Sequence, residues 1–443
     1  MFASFIIALY LLASLVALIY PGFALLLFWP LILFHPTFAL YGKLPLNMGF
    51  DDMYLLCLFV GSLIKCGGRL KVGWPVVAAV VFCLLGVLGE LSYVVTGAEV
   101  DASRVWKEIL KSSGLILLVF SMSALITTPE QVRRVIYSLL LGALVGAIFV
   151  ILYAINPDAW NPFQIPHLLL GRETWGFQAI GPFDSHDIAG GVLGFATLMG
   201  YSLIRFVEGT FRRLIAALIM GLLLLGLLLS GSRSGWVFVA FPVMLSSLLS
   251  KQRILGAFLL VLMAAGLLLS IAKFPYFSRR VEQTMTQAKT WDLQQITAGR
   301  YGVWKNTLAK ANKTWLLFGE GLAQKKGEPH PHNNYIGMLK HMGLISIIFW
   351  FAYYKKIFAR SSWLMKYDPI CNMSAIFRGV FWAYIGYLLF FMTCTPIQWA
   401  PVRYIDFCLM TLVYLRYRQI ETEPEYAFED QLYPDQLSYD PVY

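Results

Sequence analysis

A few residues of this sequence have types and spacings suited to chemistry. Arg233 lies in Ser230-Gly231-Ser232-Arg233-Ser234-Gly235, between two strongly apolar stretches. An arginine there is costly unless it reaches an interface or faces a polar cavity. It could snorkel to lipid headgroups. With small neighbours leaving room, it could instead grip a phosphate, helped by their N–H groups and hydroxyls. Arg300 follows Ala298-Gly299 and opens a basic segment, where it is either a surface charge or a second anion ligand. His330 and His332 flank Pro331 just ahead of the apolar run that starts near Asn334. A neutral imidazole there could take a proton from a hydroxyl near neutral pH. A His-x-His pair could also bind metal, but no third ligand stands at a suitable spacing, so no metal is assigned.

Two further groups carry charge beside apolar runs. Asp184, His186 and Asp187 fall in Gly181-Pro182-Phe183-Asp184-Ser185-His186-Asp187. They could orient a sugar or an arginine, and they equally suit a turn and helix N-cap. Arg403 and Asp406 are one helical turn apart and suit an ion pair. The phosphate-binding G-x-x-x-x-G-K-[ST], a dinucleotide fingerprint and H-E-x-x-H are not found, which argues against a nucleotide-driven pump or a zincin protease and calls for no cofactor.

These residues need elements to hold them, and composition says which. Hydrophobic residues are 58% of the 443 and charged residues 14%, against about 25% charged in soluble domains; mean hydropathy is +0.65. Runs of about 18 or more apolar residues recur with short polar breaks, which specifies an all-α polytopic membrane protein. Strands of a barrel would alternate apolar with polar residues, and these runs do not. The apolar runs fall near 2–19, 22–40, 50–65, 74–97, 112–128, 133–155, 187–207, 212–230, 234–250, 253–273, 334–354, 374–395 and 399–416, so about 12–13 transmembrane helices are expected. The first lacks a basic n-region and a small-residue cleavage site and is expected as a retained helix.

Alternate short loops carry most Lys and Arg, including Lys65/Arg69/Lys71, Arg133/Arg134, Arg212/Arg213, Lys355/Lys356 and Arg416/Arg418, and these are expected in the cytoplasm. That alternation puts the loop 156–186, the Ser230–Gly235 turn and a large loop 274–333 on the other side. The expected organisation is then a bundle over 1–273 that includes the 156–186 loop, the large loop 274–333, C-terminal helices over 334–418 and an acidic cytoplasmic tail over 419–443. Within the large loop, Tyr301, Trp304, Leu308, Ala311 and Trp315 share one helical face, which predicts an amphipathic helix lying at the interface, ended by Gly319-Glu320-Gly321. A basic piece from Ser278 to Lys289 precedes it. The net charge of +10 is spread over many short loops, pointing to anionic lipids or an anionic substrate and not to nucleic acid. The six cysteines show no C-x-x-C spacing, and neither a disulfide framework nor a zinc site is expected.

The ordered set of Gly181-Pro182-Phe183, Gly231-Ser232-Arg233-Ser234-Gly235, Gly299-Arg300 with Trp304, Phe318-Gly319-Glu320-Gly321, His332-Asn333-Asn334-Tyr335 and Gly343-Leu344 resembles the bacterial O-antigen ligase and polysaccharide polymerase superfamily. Each motif is short, and the order and topology carry the likeness. The resemblance implies a metal-independent, cofactor-free glycosyltransferase with a GT-C-like membrane fold in the bacterial inner membrane. It would work on the periplasmic side, moving a glycan from undecaprenyl pyrophosphate to the lipid A-core oligosaccharide. Arg233 and Arg300 match the family's arginines and would hold the pyrophosphate; His332 matches the loop histidine and would act on the acceptor hydroxyl. Asp406 is a loose match to a late acidic residue, and His330 has no family role. A polymerase using a lipid-linked glycan as acceptor is the alternative. A protein O-oligosaccharyltransferase is a third enzyme reading. A transporter of anionic solutes or lipids is the reading from another class, and it predicts repeated broken helices and a charged mid-membrane path.

Overall fold

A computed structural model describes residues 2–33, 49–69, 72–95, 102–156, 181–183, 185–204, 209–249, 253–273, 300–310, 313–321, 331–394 and 400–422, with isolated residues between 273 and 300. Asp184, His330, most of the 156–186 loop, most of the basic piece 278–289 and the acidic tail beyond Thr422 lie outside the described residues.

Every apolar run carries a helix. These are α1 (Phe2–Ile19), α2 (Pro21–Leu33), α3 (Phe50–Lys65), α4 (Trp74–Val95), α5 (Ala102–Leu125), α6 (Pro129–Ile155), α7 (His186–Ile204), α8 (Thr210–Leu229), α9 (Arg233–Leu249), α10 (Arg253–Lys273), α13 (Asn334–Tyr367), α14 (Cys371–Thr393) and α15 (Ala400–Thr422), with α11 (Arg300–Ala309) and α12 (Lys313–Phe318) between α10 and α13. No strand occurs among the described residues. Six helices there are long and apolar enough to cross a membrane, and five shorter ones are apolar. The chain is an all-α, multi-pass membrane protein.

The helix ends follow local chemistry. Thr128 caps α6 by accepting Gln131 N, while Gln131 Oε1 accepts Thr128 N at 3.0 Å; Pro129 takes the first turn, where its missing N–H costs nothing. Helix α13 runs past its apolar run to Tyr367, because Tyr353, Tyr354, Ile357, Ser361 and Leu364 keep a buried stripe at helical spacing beneath the lysines and arginine.

Helix α7 is the hub. It is 89% buried, whereas α8 beside it is 39% buried. It packs on α6, α8, α9, α14 and α15. It can do so because its first turns are small: Gly190 lies against Gly235 at the start of α9, where a Cβ on Gly235 would come within 2.7 Å of Gly190 Cα. Two chain starts are thereby pressed together, and both carry residues singled out above.

Helix α13 is broken. Gly343 has φ 72° and ψ −177°, a region open in practice only to glycine. The break frees the carbonyls of the preceding turn, and α12 supplies partners. Glu320 N donates to Lys340 O at 2.7 Å and Gly321 N to His341 O at 2.9 Å, while His341 Nδ1 lies 2.6 Å from Gly321 O. Gly319-Glu320-Gly321 therefore does more than end a helix. It docks the loop into the break and meets the Glu90 carboxylate of α4 at Gly321. The single amphipathic helix expected over 300–315 is two short ones. Helix α11 has no buried residue: its apolar face exposes Tyr301 and Leu308 and half-buries Trp304 against the stretch before α13.

Candidate functional site

The last turn of α14 gathers the loop residues. Its terminal carbonyls have no partners within the helix, and two loop side chains take them: Arg300 Nη1 donates to Thr393 O at 3.0 Å and Asn333 Nδ2 to Met392 O at 3.1 Å, while Tyr335 Oη donates to Leu388 O, a turn earlier, at 3.1 Å. The Arg300 cation also suits the negative end of the α14 dipole. Trp304, one turn along α11, donates its indole N–H to Pro331 O. Asn333 accepts Ile336 N at 3.1 Å and so caps α13.

Between Pro331 and Asn333 stands His332. Its φ of 46° makes it the one non-glycine residue with positive φ among the described residues, a conformation costing about 1–3 kcal/mol unless its surroundings impose it. Trp304 on one side and the Asn333 cap on the other impose it. The imidazole is half-buried, with Nδ1 shielded from solvent. Burial pushes its pKa below the ordinary histidine value. The Arg300 cation lowers it further, the Asp187 carboxylate pulls it up, and His186 lowers it. The result favours the neutral ring, which can accept a proton.

Arg233 opens α9 and is half-buried. The serines around it divide their work. Ser230 Oγ donates to Leu227 O at 2.7 Å, and Ser232 Oγ accepts Gly235 N at 3.1 Å as the cap of α9; both residues are fully buried. Those two hydroxyls close the turn. Ser234 points elsewhere. Its Oγ lies 3.5 Å from Asp187 Oδ1 and accepts the Cys394 thiol at 3.3 Å.

The 181–187 stretch serves as the turn and helix cap read from its sequence. Phe183 is 1% exposed and seats its ring on Gly146 of α6, and Ser185 Oγ accepts Ile188 N at 3.2 Å. Those contacts are the turn and cap. His186 Nε2 lies 3.5 Å from Asp187 Oδ1, and Asp187 is buried. His186, Asp187, Ser234, Cys394, Arg300 and His332 thus meet at one end of the bundle, and Arg233 adjoins them through Ser234.

Arg403 and Asp406 lie elsewhere. Arg403 stacks over the Phe82 ring with its guanidinium carbon 5.6 Å from the centroid. Asp406 accepts Tyr354 Oη at 3.2 Å, under a layer in which Tyr354 and Phe391 lie 5.9 Å apart and Tyr387 and Phe391 4.4 Å apart. The spacing that suggested an ion pair serves two separate contacts within the core. Among the described residues, no three His, Cys, Asp or Glu side chains converge as metal ligands would.

The class this defines is an all-α membrane bundle that gathers arginine, histidine and carboxylate side chains at one end. Residues 218–351 match the family model described as O-antigen ligase. That segment runs from within α8 to within α13 and includes Arg233, Arg300 and His332, and the match supports a likeness to the O-antigen ligase and polymerase superfamily. No curated protein matches the chain.

Proposed function

We propose that this protein is an O-antigen ligase, a metal-independent inverting glycosyltransferase of GT-C-like fold. It would move a glycan from undecaprenyl pyrophosphate to the lipid A-core oligosaccharide on the periplasmic face of the inner membrane. What carries the reading is the convergence of Arg300 and His332 on the last turn of α14, with Arg233 beside them at the start of α9. The donor is already activated, so no nucleotide is needed. His332 takes the proton of the acceptor hydroxyl, and the oxygen's electron pair forms the new bond to the anomeric carbon from the face opposite the leaving group. The bond from that carbon to the pyrophosphate oxygen breaks, and its electrons leave with the pyrophosphate. Arg233 and Arg300 stabilise the charge gathered there, in surroundings too dry for water to do so. The prenyl tail lies among apolar helices while both glycans stay in water.

The test is transfer by purified protein in lipid nanodiscs, with a defined undecaprenyl-pyrophosphate glycan and purified lipid A-core. Glycan should pass to lipid A-core and should still do so in EDTA. Elongation of the lipid-linked glycan with lipid A-core omitted would make the protein a polymerase. Removing the base in His332→Ala should slow transfer on the order of 10²–10⁴-fold, with donor binding kept. Full activity in that variant would overturn the assignment.

A further inference from the structure

Asp187 has the geometry of a group that works on this site. It is 4% exposed, and among the described residues the polar neighbours of its carboxylate are His186 Nε2 and Ser234 Oγ, each at 3.5 Å. A buried carboxylate ordinarily gathers close donors. It is held between two elements that matter: it starts the hub helix α7, and through Ser234 it touches the turn that presents Arg233. The Gly190–Gly235 approach one turn below leaves no room for that pairing to slide.

We propose that Asp187 is a positioning residue for the transfer step: its fixed negative charge stabilises the imidazolium that forms on His332 when the acceptor proton is taken, and its contact with Ser234 holds the Arg233 turn in register with that histidine. The inference rests on the reading of His332 as the base. Among the described residues, the charges acting on His332 are Arg300 on α11 and His186 and Asp187 on α7; the Cys394 thiol lies beside Asp187, and Arg233 adjoins through Ser234. Of these described groups, Asp187 alone offers negative charge. The step moves one proton from the acceptor oxygen to the ring and creates a cation there. A carboxylate in its field makes that product state more favourable, and Asn in its place removes the charge while keeping the shape.

The experiment compares wild type, Asp187→Asn and His332→Ala in nanodiscs. One readout is the pH profile of kcat/KM for transfer. The other is the pH dependence of diethyl pyrocarbonate labelling at His332, read by peptide mass spectrometry, which needs no turnover. In Asp187→Asn the half-labelling pH and the acid limb should both fall by about 0.5–1 unit, and kcat should drop on the order of 10-fold or more. A folded Asp187→Asn protein whose labelling curve and acid limb coincide with wild type would overturn the proposal. That result differs from failure of the underlying reading, which would show as full transfer by His332→Ala whatever Asp187→Asn does. Should Asp187→Asn transfer poorly, the labelling curve still decides, because a purely structural defect leaves His332 titrating as in wild type or as an exposed histidine, above it.

Discussion

Replacing Gly343 with alanine tests how the loop is held. The glycine has φ 72° and ψ −177°, so an alanine there carries about 1–3 kcal/mol of backbone strain. Its Cβ would also fall on the α12 backbone, overlapping Leu317 O and coming 2.5 Å from Phe318 N. Backbone cannot swing aside as a side chain can, so α12 must withdraw. Withdrawal breaks the bonds from Glu320 N to Lys340 O and from Gly321 N to His341 O, and each carbonyl orphaned away from water costs about 1–3 kcal/mol. Docking should weaken by about 3–9 kcal/mol, which is roughly two to six decades in the closed-to-open ratio. Hydrogen exchange over 313–321 and 334–342 should accelerate accordingly, and transfer should fall because α11 carries Arg300 and Trp304 on the same loop. Gly67→Ala is the control. Gly67 also has positive φ, 62°, but nothing lies within 4 Å of its added Cβ, so strain of about 1 kcal/mol acts alone and transfer should stay at wild-type rate. Wild-type exchange and transfer in Gly343→Ala would refute the argument that the break and the loop are one structure.

Arg233→Lys and Arg300→Lys keep the charge but lose the planar fork, and each should lower kcat on the order of 10²-fold with little change in thermal stability. Because the pKa of His332 is depressed, its ring stays neutral through the neutral range, so kcat/KM should be flat there and fall only below the ordinary histidine value of 6.5; an acid limb above that pH would contradict the burial-based reading. The linked stability has the same sign. It is fully present above 6.5 and is lost as pH falls through the folded pKa, because the unfolded chain takes the proton first. Asp368 and Arg416 form a buried pair with two bonds of 2.7 Å, so Asp368→Asn should destabilise by about 3–5 kcal/mol in thermal unfolding while leaving transfer per folded molecule unchanged.

The helices were legible because apolar runs of spanning length have few other uses. The break in α13 was not: hydropathy is continuous across Gly343, and only the backbone angles and the docked Gly319-Glu320-Gly321 reveal it. The division of α11 from α12 was hidden for a related reason, since two short helices satisfy the same aromatic spacing as one long one. Arg233, Arg300 and His332 stood out as costly or reactive residues beside apolar runs. Asp187 was read as one of a group with Asp184 and His186; the signal that sets it apart is Gly190, which follows by one turn and permits another helix to approach closely. Arg403 and Asp406 misled because spacing along a helix says which residues are neighbours, not which have better partners across the core.

The last turn of α14 has a consequence for the order in which the protein is made. Arg300, Asn333 and Tyr335 all wait for carbonyls that are synthesised some 50 to 90 residues later, and Ser234 waits 160 residues for Cys394. Every other partner of this corner is already in place when α13 emerges. The corner is therefore completed by a late event, the insertion of α14. A nascent chain lacking that helix carries the arginines and histidine without the geometry to use them.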